Sequence, residues 1–435
     1  MAAMRADSGG ARPAYSAVHL AYGSTGMIVQ LPTDRTTVVV PRPRRAVGDP
    51  RAEVLRSLRE PVHGRPLREL VRRGQTIAIS VCDITRAQPR QTMVEAILEE
   101  LEGVARPSDV VVLIATGTHR RNTAAEHLAM LGADVVAACQ VVDHDARDRS
   151  ALVDLGLSDD VPVHINRAWV DADVRITTGF VEPHFFAGFS GGPKMIAPGL
   201  AGLDTVLALH NAWRIADPRA TWAICEGNPV HDAIRAAAAK APATFAVDVL
   251  LNDSQQVTRS FGGSLYEMHV AARAVARQEA MRRVRNRYDL VITTNSGYPL
   301  DQNLYQSVKG MSAAAEVVKD GGTIVCAAEC RDGFPEHGSY RRLLGSAGTI
   351  GQVAARIEAS AETIPDQWQV QIQARVQRRA RVVVHSDGLN AEELATAHLE
   401  STNSVEAVVD RVLHDQPEAR ICVLPQGPRT IPYVA

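Results

Sequence analysis

At 435 residues with 46% apolar side chains, the chain has room for two or three domains and for sizeable cores. A formal net charge of −2 excludes the basic footprint of a nucleic-acid or anionic-membrane binder. No apolar run nears the roughly 18 residues a membrane span needs.

Residues 1–15 lack the apolar core of a signal peptide and read as a frayed tail. The six scattered cysteines suit small buried hydrophobes in a reducing compartment, so a cytoplasmic protein is expected. Cys326 and Cys330 lack a second ligand pair for a zinc site. Short strands follow from Val18 to Val40, broken by Gly23, Gly26 and Pro32. Asp49-Pro50 places an N-cap before a proline, opening a helix toward Arg59. A second helix runs from Pro66 to a stop near Gly74.

From there the pattern repeats strand, loop, helix. Thr76 to Cys82 is an apolar run of buried-strand length that ends in Asp83-Ile84-Thr85-Arg86, with a helix over Gln91 to Leu101. Asp109 to Ala115 is the next strand and ends in Thr116-Gly117-Thr118-His119-Arg120; Asn122 or Thr123 then caps a helix through Met130. Strands near Val141 and over Asp173 to Thr178 follow, the latter feeding GFVEPHFFAGFSGGPKMIAPGL, Gly179 to Leu200. This alternation predicts a mostly parallel sheet covered on both faces, with ligands at the carboxyl ends of the strands. If the three strands are adjacent, Asp83, Thr85, Arg86, His119, His184 and Lys194 converge on one rim. The glycines around Lys194 let backbone approach a ligand closely, although a plain turn with a solvated lysine fits the same residues.

A helix carries Leu203 to His210, where His210 would suit the macrodipole as a C-terminal histidine. Asn228-Pro229 opens a helix to about Lys240, and Phe245 to Leu251 with Gln256 to Phe261 reads as a hairpin. Residues 265–287 read as a linker helix between an N-terminal α/β domain, 16–264, and a C-terminal one, 288–435. The second domain restarts with strand Tyr288 to Thr293, the polar loop Thr294 to Gly310, and a helix to about Val318. Strands from Gly322, Arg381 and Arg420 complete it. The expected architecture is two α/β domains with mostly parallel sheets and an active site in the interdomain cleft.

DITR at 83–86, ATGTHR at 115–120, GFVEPHFFAGFSGGPK at 179–194 and NSGYPLDQNLYQSVKG at 295–310 resemble the nickel-dependent lactate racemase family. The resemblance spans nearly the whole chain after the tail. It implies an isomerase, a racemase or epimerase that inverts C2 of a lactate-like 2-hydroxy acid. Its cofactor would be a nickel-pincer nucleotide, a Ni(II) pyridinium mononucleotide with two thio-acyl arms, supplied by cofactor-biosynthesis enzymes. On the motif, Lys194 is the covalent anchor and His210 the nickel ligand, imidazole being a suitable donor to nickel. The loop Asp83, Ile84, Thr85 and Arg86 resembles the cofactor-binding loop, with Arg86 also able to grip a carboxylate. His119 and His184 match the acid/base pair, and Tyr305, Gln306 and Lys309 the substrate-binding positions. A racemase needs a base on each face of the carbon, and histidine exchanges protons near neutral pH. In this reading the hydrogen on C2 leaves as hydride to the cofactor while histidine takes the hydroxyl proton. Two alternatives share the residues: a non-catalytic pincer-nucleotide binding protein, and a cofactor-independent epimerase using His119 and His184 as two bases. Gln306 and Lys309 also fit a helix-face pair without a ligand.

Overall fold

Strand Ile77–Cys82, buried at every position, lies in the interior of a six-stranded sheet. A computed structural model describes residues 14–42, 44–335 and 338–434 of the chain. In that sheet the order is Val257–Gly263, Phe245–Leu251, Val174–Phe180, Ile77–Cys82, Val110–Ala115 and Gln140–Asp143. Every pairing is parallel except that of Val257–Gly263 with Phe245–Leu251. A strand covered on both faces has no polar side to alternate with, which is why TIAISVC reads as an unbroken apolar run. Its core joins Ile77, Ile79 and Val81 to Val54 and Leu58 of helix Pro50–Arg59 and to Met93 and Ile97 of helix Arg90–Glu100.

The helix boundaries follow local chemistry. Asp49 accepts the amides of Arg51 and Ala52 in front of Pro50, the expected cap. Thr123 and Glu126 form a capping box at the start of Ala124–Ala138. That element runs past the expected end at Met130, but Gly132, with φ 78°, interrupts it. The stop near Gly74 overshoots a helix that spans only Leu67–Leu70.

The second sheet is wholly parallel, in the order Glu400–Thr402, Arg381–His385, Val318–Ala327, Tyr288–Thr294, Ile421–Leu424 and Thr36–Val38. Its core sets Leu290, Ile292, Val325 and Val423 against Val405, Val408 and Val409 of helix Val405–Asp415. Leu20, Val29 and Leu31 from the hairpin Tyr15–Leu20/Met27–Pro32 join the same core.

The division of the chain differs from the sequence expectation in three places. Of the described residues, the first unit comprises those in Pro41–Met281 and Gln352–Gln371; the second comprises those up to Val40, in Arg282–Gly351 and from Ile372 onward. Residues 16–40 therefore belong with the C-terminal sheet, because Thr36–Val38 hydrogen-bonds along Ile421–Leu424. The expected linker at 265–287 is a helix only over Leu265–Ala280 and packs on strands Phe245–Leu251 and Val257–Gly263. Leu265, Met268, Ala272 and Ala276 give it a buried stripe at helical spacing, so it covers a sheet face. Met281–Val284 then becomes a strand paired with Ile431–Val434. Residues 352–371 fall in the first unit, where Trp368 packs on His210. Of the expected tail 1–15, residues up to 13 lie outside the described residues, and strand Tyr15–Leu20 takes Tyr15. All six cysteines are buried thiols. Among the described residues no helix is long and apolar enough to cross a membrane.

Candidate active site

Strands Val174–Phe180, Ile77–Cys82 and Val110–Ala115 are neighbours and parallel, so the three loaded loops leave one edge of the first sheet. Contacts between the loops run close to the strand ends. The Gly117 amide donates to the Gly199 carbonyl at 3.0 Å, Ser80 Oγ donates to the Met195 carbonyl at 2.9 Å, and the sulfurs of Cys82 and Met195 are 3.6 Å apart.

In the first loop Asp83 is buried while Ile84, Thr85 and Arg86 are exposed. The Asp83 carboxylate accepts from Thr85 Oγ1 at 2.7 Å and from His119 Nδ1 at 2.6 Å. Burial alone would raise this carboxyl; the hydrogen bond from His119, with the charges of His119 and Arg86, instead draws it down to about 2. An ionised Asp83 fixes the proton of neutral His119 on Nδ1 and leaves the Nε2 lone pair as the basic atom.

The loop itself is shaped by Arg90, in the first turn of the following helix. Its buried guanidinium donates from Nε to the Cys82 carbonyl at 2.6 Å and from Nη2 to the carbonyls of Arg86, at 2.6 Å, and Asp83. Its Nη1 reaches the Gln88 carbonyl at 3.1 Å. Gln88 in turn accepts the Cys82 amide at 2.7 Å and donates to Thr178 Oγ1 at 2.7 Å, tying this loop to the next strand. Neither Arg90 nor Gln88 stands out in the sequence. An arginine beside Pro89 at a helix start looks the same whether it faces water or a loop.

The second group lies along the stretch from Gly179 to Leu200. His184 sits in the small hairpin Pro183–His184/Gly188–Phe189. Amides of Ala187 and Phe186 approach its Nδ1 at 3.3 and 3.5 Å, so the neutral ring carries its proton on Nε2. The Phe186 ring stands edge-on to His184 at 4.5 Å and to His210 at 5.4 Å, with Lys194 Nζ 5.9 Å from its centroid. His184, Lys194 and His210 are thus brought together around one phenylalanine. Phe185 and Phe186 are both buried, Phe185 against Trp222.

His210 caps helix Leu203–Leu209, as the periodicity indicates, and is buried. Its Nδ1–H donates to the Val206 carbonyl at 2.7 Å, which leaves Nε2 as the lone-pair nitrogen. Burial pushes the imidazole down to about 4, with the Lys194 charge adding to it against the pull of the Val206 carbonyl. The Trp368 ring packs against the imidazole, tilted by 43° with centroids 4.7 Å apart. A neutral imidazole with one nitrogen tied to a carbonyl is the state in which histidine ligates metals. Among the described residues no three His, Cys, Asp or Glu side chains gather to hold a metal ion by themselves. Any metal here would take its other ligands from a bound group.

Four buried side chains hold the Lys194 stretch from below, and none was expected from sequence. Asn228 Nδ2 donates to the Phe186 carbonyl at 2.9 Å, and His231 hydrogen-bonds the Ala187 backbone. His269 Nε2 donates to the Ser190 carbonyl at 3.0 Å, and Asp248 Oδ2 accepts the Gly192 amide at 2.7 Å. A signal existed for Asp248 alone: one carboxylate in the otherwise apolar strand FAVDVLL.

In the second unit Gln306 and Lys309 lie one turn apart on helix Leu304–Ala315, capped by Asn303. Lys309 Nζ donates to Gln306 Oε1 at 2.8 Å, and the Tyr305 ring packs edge-on against Tyr340 at 5.3 Å. The preceding loop is fixed by buried Asp301, which accepts the amides of Gly23 at 2.7 Å and Glu329 at 3.2 Å.

Comparison with known proteins gives one answer over both units. Residues 22–223 match the lactate racemase N-terminal domain, and residues 284–431 match the lactate racemase C-terminal domain. The lactate racemase of Thermoanaerobacterium thermosaccharolyticum is 34% identical over 427 residues, covering 94% of this chain and 97% of that one. That of Lactiplantibacillus plantarum is 34% identical over 378 residues, covering 86% and 89%. The solved lactate racemase apoprotein from T. thermosaccharolyticum superposes with a TM-score of 0.89 at 32% identity, over 96% of this chain and all of that one. A Thermotoga maritima protein shares the fold at TM-score 0.64 and 17% identity.

Proposed function

Because this chain belongs to the lactate racemase family, we infer that it is an isomerase that inverts the C2 centre of a 2-hydroxy acid, lactate or a close relative. The observation that carries this reading is the pairing of two differently prepared histidines at one sheet edge. His119, with its Nδ1–H on ionised Asp83, offers a basic Nε2; His184, with amides on Nδ1, offers an Nε2–H. His119 is set to accept the hydroxyl proton, while neutral His184 offers its Nε2–H as a hydrogen-bond donor to the substrate oxygen; as the base for the other face it takes the tautomer with its proton on Nδ1 and the lone pair on Nε2.

The residues fit the nickel-pincer nucleotide in three respects. His210 presents a neutral lone-pair nitrogen, Lys194 stands near the same Phe186 ring, and the Gly191-Gly192 turn lets the chain before Lys194 pack closely on Asp248 and His269. Lys194 would anchor the nucleotide covalently, His210 would complete the nickel, and Asp83 to Arg86 would cradle the rest. When bound, the group would supply the acceptor for the hydrogen on C2. The chain's own part is to bind, orient and move protons. His119 Nε2 takes the hydroxyl proton in one direction, and His184, in the tautomer that frees its Nε2 lone pair, takes it in the other. Arg86 would pair with the substrate carboxylate, and on the second unit Tyr305, Gln306 and Lys309 match the family's substrate-binding positions. The protein acts on a small molecule, without nucleic acid or membrane, and works in the cytoplasm, where cofactor-biosynthesis enzymes supply the nucleotide.

The test is to produce the protein with those enzymes, give it one enantiomer of 2-deuterated lactate, and follow both enantiomers by chiral chromatography. Racemisation with deuterium kept at C2 supports the reading. Racemisation with deuterium lost to solvent favours proton abstraction by two bases. A loaded protein that inverts no 2-hydroxy acid identifies a nucleotide-binding protein.

A further inference from the structure

The turn that carries Lys194 is gripped by polar groups that the proton chemistry does not use. Asp248 is wholly buried on strand Phe245–Leu251, among residues that are otherwise aliphatic or aromatic. Its Oδ2 accepts the Gly192 amide, while its Oδ1 has no hydrogen-bond partner. Two glycines make room for this carboxyl: a Cβ at Gly191 would stand 2.6 Å from Oδ2, and one at Gly179 would stand 2.8 Å from Oδ1. His269, buried on helix Leu265–Ala280, lays its ring on Gly192, where a Cβ would meet it at 2.5 Å, and its Nε2–H holds the Ser190 carbonyl. His231, from helix Pro229–Ala238, stacks on His269 with ring centroids 5.8 Å apart and planes 21° apart. Gly191 and Gly192 both have positive φ, 69° and 52°, so the turn has the conformation that the bracket closes on. The short helix Gly192–Met195 starts there, and the Lys194 amide donates to the Gly191 carbonyl at 3.2 Å.

Leaving Oδ1 without a partner costs about 1–3 kcal/mol, which offsets much of what Oδ2 gives the Gly192 amide, so the carboxyl adds little net stability beyond fixing that amide in place. We propose that Asp248, His231 and His269 are positioning residues that set where the Lys194 amine stands and so whether it can be acylated. The proposal rests on the reading of Lys194 as the covalent anchor. Burial pushes the Asp248 carboxyl up to about 7 against the Gly192 amide, and holds His231 down to about 4 and His269 to about 3. Near neutral pH both histidines are therefore neutral, and the carboxyl is far less ionised than an exposed aspartate, in keeping with a dry hydrogen-bonding frame.

The experiment starts with the apoprotein and N-hydroxysuccinimidyl acetate. The acetylation rate of Lys194 is read by peptide mass spectrometry against Lys240, Lys309 and Lys319 in the same chain. Asp248→Asn keeps the size and an acceptor for Gly192; Asp248→Leu keeps the size and removes the acceptor. We expect the asparagine variant to label Lys194 within about twofold of the parent, and the leucine variant to differ by about tenfold or more while still unfolding cooperatively. Covalent loading with the pincer nucleotide, read by intact mass, should follow the same order. A folded leucine variant with unchanged Lys194 labelling overturns the proposal. If leucine prevents folding, His269→Phe, which keeps the ring but loses the donor, and His269→Gln, which keeps a donor, make the same comparison. Altered labelling in a protein whose parent never loads nucleotide would sink the anchor reading and leave the bracket standing.

Discussion

The loop after Cys82 and the stretch after Phe180 leave neighbouring strands, yet they are held in opposite ways. The first is shaped by its own successors: Gln88 and Arg90 turn back on Cys82, Asp83 and Arg86 within a few residues. The second is held by Asn228, His231, Asp248 and His269, which arrive only after further helices and strands have been laid down. A locally braced loop can keep its form while its neighbours move. A loop braced from afar is only as well placed as the fold beneath it, and it gains a rigidity that its own glycines deny it.

The largest effect expected is at the distant-braced end. Lys194→Ala should abolish the covalent adduct and all racemisation, with the apoprotein's thermal midpoint unchanged; intact mass and chiral chromatography check both. Next, His119→Ala and His184→Ala should each lower kcat by about 10²–10⁴-fold while leaving the adduct and nickel content intact. His119 rests on Asp83 of the locally braced loop and His184 lies in the distantly braced stretch, so loss of loading in only one would show which region also serves the cofactor. Arg90→Met should then cost about 2–4 kcal/mol, read by denaturant unfolding, because it leaves several buried loop carbonyls without donors. Activity should fall with it, since Asp83 would no longer be held under His119.

The smallest effect is in the pH dependence of apoprotein stability, where the bracket contributes two opposite signs. His269 is depressed to about 3, so between about 6.5 and 3 the unfolded chain binds more protons and stability falls as pH drops. Asp248 is raised to about 7, so between about 4 and 7 the folded chain binds more protons and stability falls as pH rises. Asp248→Asn should therefore steepen the loss of thermal midpoint between pH 7 and 4.5 relative to the parent, and His269→Gln should make it shallower. Each change should be on the order of 2–4 °C per pH unit. Parallel curves for all three proteins would mean that these groups titrate as they do in the unfolded chain.

The same contrast explains what could be read from the sequence. Parallel strands buried on both faces announce themselves as apolar runs, and the loops at their carboxyl ends carry their polar residues in plain view. Hence Ile77–Cys82, Val110–Ala115 and Val174–Phe180 fall within two residues of expectation. The adjacency of these strands, which brings Asp83 to His119, is a matter of sheet order that no single strand encodes. Trp368 was illegible for a similar reason: its place on His210 depends on residues 352–371 joining the first unit. The helix after Ser264 reads as a linker because its length and arginines are visible, whereas its buried stripe has meaning only against a sheet.

The edge strand Thr36–Val38 has a consequence for how the protein is made. Its partner is Ile421–Leu424, near the other end of the chain, so during synthesis it must wait for almost the whole polypeptide to leave the ribosome. The strands of the first sheet, all lying between Ile77 and Gly263, can pair much earlier. Vectorial folding would then complete the lysine-bearing sheet while the second still exposes an unpaired edge. That interval, set by topology and translation speed, is when the nascent chain is most open to chaperones and to mispairing.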